Sequence, residues 1–197
     1  SLAALNDKEF NPNNKYFCNG GYKFGNQIFH CWKKEGHGFI NCEEAISMSF
    51  DCYFYDISLK VGIKKISEIA VIFGLGKEYL KSTFSSSKGI IPNKVWKKNH
   101  FNTVWTKSDT IVAAIGQGYT LSTPLQLAVM TSRIATEGRM VIPSILKNTT
   151  IKKDFPKNSV IDKKAYKLVK SGMFKTVNFA KGTAYGSRLF NNNEYMC

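Results

Sequence analysis

At 197 residues, with 43% hydrophobic and 13% aromatic content, the chain fits one domain of ordinary size that can fill a packed core. No stretch approaches the roughly 20 apolar residues of a membrane span, and Ser1-Leu2-Ala3-Ala4-Leu5 is neither a signal peptide nor an initiator methionine, so any anchor or export signal is expected outside these residues. The net charge of +14 suits an anionic partner such as nucleic acid, anionic lipid or cell-wall polymer. Its lysine pairs are spread along the chain (33-34, 64-65, 97-98, 152-153 and 163-164), with no Arg-rich arm or ribonucleoprotein motif. They are read as solvated faces, and nucleic-acid binding is not expected.

In chain order, residues 1 to 7 read as the last turns of a helix, since Leu2, Ala3, Ala4 and Leu5 are good helix formers ending at Asn6-Asp7. Asn11 to Gly38 is rich in turn residues and reads as a long excursion with one hairpin, a length of loop that needs a clip or a function. From Asn41 the pattern turns helical, with Glu43 and Glu44 in the first turn, and Ser47 and Ser49 then interrupt it. Cys52 to Val61 continues as an apolar helix stopping near Gly62, and Ile63 to Phe73 gives another ending at Gly74. Gly76 to Lys107 is polar and irregular, apart from a short helix beginning at Pro92 toward Trp96. Thr123-Pro124 starts a long helix through Ala135, with Pro in its first turn and Gly138 as its stop. Met140 to Leu146 reads as a strand, and Lys163 to Phe179 as an amphipathic helix with Leu168, Val169, Met173 and Val177 inward.

Five cysteines, at positions 18, 31, 42, 52 and 197, are an odd number that argues against a fully paired disulfide framework. Cys18 and Cys31 fall in the Gly-rich excursion, where metal or redox chemistry competes with the plainer reading of free thiols. A self-contained catalytic centre is absent from the sequence: there is no nucleophile elbow, no phosphate-cradling loop and no pair of His ligands on one helix, and His30, His37 and His100 share no spacing that defines a base. Ser49-Phe50-Asp51 stands at the break between two apolar helices. Two readings are open: one of the two side chains caps orphan amides at the helix start, or a hydroxyl and a carboxylate are presented together for proton transfer and substrate binding.

The surrounding residues carry a resemblance. Cys31-Trp32-Lys33-Lys34-Glu35-Gly36-His37-Gly38, then Ser49-Phe50-Asp51-Cys52-Tyr53-Phe54-Tyr55, then Asp109-Thr110, Gly116-Gln117-Gly118-Tyr119 and Thr123-Pro124-Leu125-Gln126 resemble, in order, landmarks of the class B penicillin-binding proteins of the elongation type. The resemblance spans nearly the whole chain. It implies an α+β fold, the penicillin-recognising serine transpeptidase fold shared with beta-lactamases, with residues 1–197 as a partial transpeptidase domain made mostly of the helical subdomain. Family members carry Ser-X-X-Lys before the helix that Ser1 to Leu5 finishes and Lys-Thr-Gly after a segment like Lys181-Gly182-Thr183-Ala184-Tyr185; Lys-Thr-Gly does not occur here, and Ser85 to Lys88 matches the first spacing only in a polar loop.

By the same resemblance, a serine activated by lysine attacks the D-alanyl-D-alanine carbonyl of a peptidoglycan stem peptide, an amine of another stem resolves the acyl-enzyme, and beta-lactams imitate the dipeptide. Ser49 is then a catalytic proton relay, and Asp51, in place of the commoner Asn, contacts the lysine or the substrate amide. Cys18, Cys31 and His37 are the expected ligands of a structural zinc ion pinning the excursion to the helix after Ser49. Where relatives place a fourth ligand this chain has Phe50; Cys52, two residues along a helix, is expected to point elsewhere, leaving Cys42 or water. A disulfide between Cys18 and Cys31 is the competing state. The implied setting is a periplasmic domain of an inner-membrane-anchored protein with a rod-shape membrane glycosyltransferase partner. The isolated chain is expected to be inactive, and a non-catalytic structural or interaction remnant of the domain is the alternative.

Overall fold

The computed structural model describes residues 1–80, 87–145, 161–191 and 194–196. The class is α+β: seven helices and three two-stranded antiparallel ladders among the described residues. After α1 (Leu2–Leu5), the excursion is two nested hairpins rather than one. The outer ladder pairs β1 (Tyr16–Cys18) with β4 (Gly38–Ile40), and the inner pairs β2 (Gly21–Phe24) with β3 (Gln27–His30). The nesting depends on glycine. Gly20 and Gly36 both have positive φ, and a Cβ at either would collide with the carbonyl of Lys34 or Cys18 on the opposite leg.

The helices start where side chains satisfy their orphan amides. Asn41 accepts from the Glu44 amide, and Glu44 reaches back to the Asn41 amide, setting α2 (Cys42–Ser47). The same reciprocal box, Thr123 with Gln126 and with Pro124 at the first helical position, starts α6 (Pro124–Ala135). α3 (Asp51–Ile72) is broken at Gly62, whose φ of 76° and ψ of 152° are non-helical, so the two successive helices read from the sequence are present as one bent element. Asn93 caps α4 (Lys94–Phe101), so Pro92 lies ahead of this helix, which runs past Trp96. Thr106 and Asp109 form a third box at α5 (Lys107–Ala113), a helix the sequence reading did not place.

α7 (Lys163–Asn178) packs along α2 and against α6, with Ala165, Tyr166, Val169 and Gly172 buried. Of the four residues expected inward, Val169 is buried and Leu168, Met173 and Val177 are half-buried. The expected strand over Met140 to Leu146 is absent across its described part, residues 140–145. No described neighbour offers it a ladder, and the segment is held instead by Arg133, whose guanidinium bonds both the Val141 and the Ile72 carbonyls. Leu146 lies outside the described residues, as do the 152-153 lysine pair, Ser85, Ser86 and Cys197.

One core gathers Ala4, Cys18, Cys31, Ile40, Cys42, Ala45, Phe50, Cys52 and Tyr53 between the hairpins and the start of α3. A second joins Leu2, Phe73, Ile134, Tyr166 and Val169 between α3, α6 and α7. The link from α2 to α3 runs along the seam where the hairpins and α7 both reach it.

Candidate active site

Ser49 sits in the three-residue link, Met48 to Phe50, between α2 and α3. Its φ of 51° lies in the left-handed region, uncommon for a residue with a Cβ. The α2 end closes by a Phe50 amide bond back to the Ala45 carbonyl at 2.9 Å, which forces Ser49 outward while Phe50 is fully buried. Ser49 is consequently exposed, and its Oγ lies 2.9 Å from the Thr183 Oγ1.

Neither polar side chain of Ser49-Phe50-Asp51 caps α3, whose N-cap position is Phe50 with no side-chain bond. Asp51 instead accepts the Trp32 backbone N–H at 3.0 Å through Oδ2, and the Trp32 indole N–H lies 2.8 Å from the Ser49 carbonyl and 3.1 Å from that of Met48. The link carrying Ser49 is therefore bonded from the hairpin side by Trp32 and from the α7 side by Thr183, whose amide also donates to the Ser47 carbonyl at 3.2 Å.

Beneath Trp32 lies a buried thiol group. The sulfurs of Cys18, Cys31 and Cys52 all fall within 4.8 Å of one another, with Cys18 and Cys52 at 3.4 Å. His37 joins through Cys31, its Nδ1 being 3.5 Å from that sulfur, and its Nε2 is buried without a hydrogen-bond partner. All three thiols are free. Burial, with the neighbouring thiols, pushes Cys52 far above the usual thiol range. Cys31 is also raised by burial, although the amides of Lys33 and Asp51 aimed at it pull the other way. Burial, with the Lys33 charge, holds His37 below the usual imidazole value, so it is neutral at pH 7.

The structure thus corrects the expectation for Cys52. A helix-face argument supposed that residues 50 and 52 share one helix, but Phe50 precedes α3 and is extended, with φ of −81° and ψ of 96°. Its side chain turns away to pack on His37, ring centroids 5.0 Å apart, and Cys52 enters the thiol group. Cys42 is elsewhere, beside the Tyr53 hydroxyl, and its thiol is raised by burial.

The reading of the lysine pairs as solvated faces fails at one position. Lys97 is buried, 2.6 Å from Asp109 Oδ2, while Lys98 is exposed. Asp109 also accepts from the amide and hydroxyl of Thr106, and the Lys97 ammonium stands 5.6 Å from the Tyr119 ring centroid, fixing α4 to α5 and to the Gly-Gln-Gly-Tyr turn. Of the remaining histidines, His30 is exposed on β3 and His100 stacks on Trp96. The sequence holds a further Ser-X-X-Lys spacing, Ser144 to Lys147, of which Lys147 lies outside the described residues.

Comparison with known proteins gives the family and the fold. The sequence matches the penicillin binding protein transpeptidase domain family over residues 1–194. It is 30% identical over 99% of its length to the peptidoglycan D,D-transpeptidase MrdA of Haemophilus influenzae, and spans 31% of that relative. Among solved structures, the Pseudomonas aeruginosa PBP2 in complex with WCK 5153 superposes with a TM-score of 0.83 at 31% identity, over 94% of this chain and 42% of that one. The penicillin-binding protein PBP2 of Helicobacter pylori in its complex with MreC superposes with a TM-score of 0.80 at 33% identity, over 94% of this chain and 35% of that one.

Proposed function

Because the chain belongs to the penicillin binding protein transpeptidase domain family, we propose that it is the part of a peptidoglycan D,D-transpeptidase that supplies Ser49 and Asp51 to the catalytic centre. The observation that carries this reading is the placement of Ser49. Its hydroxyl is exposed on a backbone of positive φ, bonded to a residue 134 positions away, and spent on no local cap. A conformation of this kind costs about 1 kcal/mol or more and persists where the surroundings hold it, a common feature of functional turns.

In the proposed reaction a serine from a segment outside these residues attacks the D-alanyl-D-alanine carbonyl, and a beta-lactam takes the same path to a slow acyl-enzyme. Ser49 hands a proton between the lysine of that segment and the leaving group. One Asp51 oxygen accepts from Trp32, which leaves the other to orient the lysine or the substrate amide. In the full-length protein, Ser49→Ala is expected to slow acylation by a fluorescent penicillin about 10²-fold, the size of a lost proton-transfer group, with an unchanged melting temperature. Acylation of that variant at the wild-type rate would return Ser49 to a structural role.

We further propose that Cys18, Cys31, Cys52 and His37 hold a structural zinc ion. Thiolate and imidazole are the donors zinc prefers, and tetrahedral Zn–S bonds of about 2.3 Å space sulfurs about 3.8 Å apart, close to the compact thiol group seen here. The half-buried His37 imidazole has Nδ1 3.5 Å from the Cys31 sulfur, near enough to complete the donor set. When bound, the ion would supply cross-linking of the hairpins to α3 and no chemistry of its own.

The setting that suits these features is extracytoplasmic, in a protein anchored in the inner membrane by residues outside this chain. Among the described residues no helix is long and apolar enough to cross a membrane. Free thiols persist poorly in an oxidising compartment, and a metal would protect these three. The proposed partners are peptidoglycan stem peptides as substrate and a rod-shape membrane glycosyltransferase that makes the strands to be cross-linked.

A further inference from the structure

Building on the proposed role of Ser49, we infer that Thr183 is a positioning residue for that hydroxyl: its Oγ1, 2.9 Å from Ser49 Oγ, sets the direction in which Ser49 can pass a proton. A serine hydroxyl has one proton and two lone pairs and rotates freely unless a partner fixes it. At Ser49 the side-chain partner is Thr183. With one hydrogen-bonding direction taken there, the remaining capacity of Ser49 faces the open side of the turn, where a reacting group can reach it.

Thr183 is itself held in place with unusual completeness for an exposed residue after a helix. Its amide bonds the Ser47 carbonyl, the next amide bonds Thr176, and the preceding Gly182 amide bonds Phe179 at 2.8 Å. Gly182 is buried so tightly against the carbonyls of Lys175 and Thr176 that a Cβ there would collide with both. α7 in turn is fixed to α2. Gly172 lies where a Cβ would stand 2.9 Å from that of Ile46. Lys175 pairs with Glu43 at 2.8 Å, and Ser171 donates to the same carboxylate. The chain thus returns across 134 residues to place one hydroxyl against another.

A structural reason for that contact is weak. Both residues are exposed, and a bond between hydroxyls that water can replace adds little to stability. A positioning role and a stabilising role therefore predict different results.

The test is a mutant cycle in the full-length protein, read as the second-order rate of acylation by a fluorescent penicillin, with melting temperature measured alongside. Thr183→Val, which keeps the shape and removes the hydroxyl, is expected to slow acylation about tenfold without lowering the melting temperature, and Thr183→Ser to stay within about threefold of wild type. In a Ser49→Ala background, Thr183→Val should have no further effect, because the hydroxyl it positions is gone. The inference is overturned by wild-type acylation in Thr183→Val, by equal losses in the Val and Ser variants, by losses that add in full in the double variant, or by failure of Thr183→Val to fold, which would make the contact structural. If Ser49→Ala itself acylates at the wild-type rate, the reading of Ser49 fails and takes this inference with it. A slow Ser49→Ala beside a fast Thr183→Val removes the inference alone.

Discussion

The link that carries Ser49 is bonded by two regions that could hardly be built more differently. On one side, residues 11–40 form two short nested hairpins with exposed aromatics, such as Phe17 against Phe39, and a centre made of buried sulfur and imidazole. On the other, α7 and the turn after it rest on close helix packing, on a glycine with no room for a Cβ, and on the ion pair between Lys175 and Glu43. The first region packs Tyr16, Tyr22 and Phe29 on α3 around its thiols, and with the proposed zinc site its stability varies with the state of those thiols; the second would hold in any redox state. On the zinc proposal, the contrast is between one partner of the turn whose stability is conditional and one whose stability is not.

The sharpest way to break the comparison is at Cys52. Replacing it by serine should lower zinc from about one ion per chain to well under half, and melting should fall by about 5–10 °C as the hairpins lose their anchor. Amide exchange should rise across residues 16–40 while α7 stays protected. Elemental analysis of protein purified without chelator checks the metal. Substoichiometric zinc in the wild type as well, with two of the three cysteines recovered as a disulfide, would overturn the proposed site; the short Cys18 to Cys52 separation makes that pair the one to look for.

A smaller effect is expected at the Lys97–Asp109 pair, beside the inner hairpin, where the Ser108 hydroxyl donates to Gln27 at 3.1 Å. Burial works to raise Asp109, but bonds from Lys97 and from the amide and hydroxyl of Thr106 outweigh it and hold the carboxyl below its usual 3.8. A depressed folded-state pKa contributes stability that is complete above the unfolded value and is lost as pH falls through the folded one, so this contribution fades below pH 3.8. Asp109→Asn should cost about 1–3 kcal/mol at pH 7 and little in strong acid, narrowing the gap to wild type as pH drops. A gap of constant size in urea unfolding from pH 7 to pH 3 would contradict the assignment.

What the sequence revealed follows the range of the interactions. The boxes at Asn41 and Thr123, the break at Gly62 and the Pro124 start are local signals, and each was legible within a few residues. Thr106-Lys107-Ser108-Asp109 carries the same kind of signal for α5. Cys52 was misplaced because helical periodicity was applied one residue too early, across a position whose backbone is extended. Lys97 was misplaced because adjacent helical residues face different directions, so a lysine pair need not share one environment. The bond between Ser49 and Thr183 had no local signature at all, since it depends on α7 packing along α2. The family landmarks placed Ser49 and Asp51 in a candidate site, but the bonds of Trp32 to the link between α2 and α3 appear only in three dimensions.

The central claim, that both regions set the one hydroxyl proposed as a proton relay, is tested most directly at Trp32. Trp32→Phe keeps an aromatic ring near His37 and the backbone N–H that Asp51 accepts, and removes the indole N–H that reaches the Met48 and Ser49 carbonyls. Measured in the full-length protein, its rate of acylation by a fluorescent penicillin should fall about five- to tenfold with zinc content unchanged, as expected when a supporting bond to a site residue is lost. Wild-type acylation with the zinc retained would show that the hairpin region does not set Ser49, and would contradict the account.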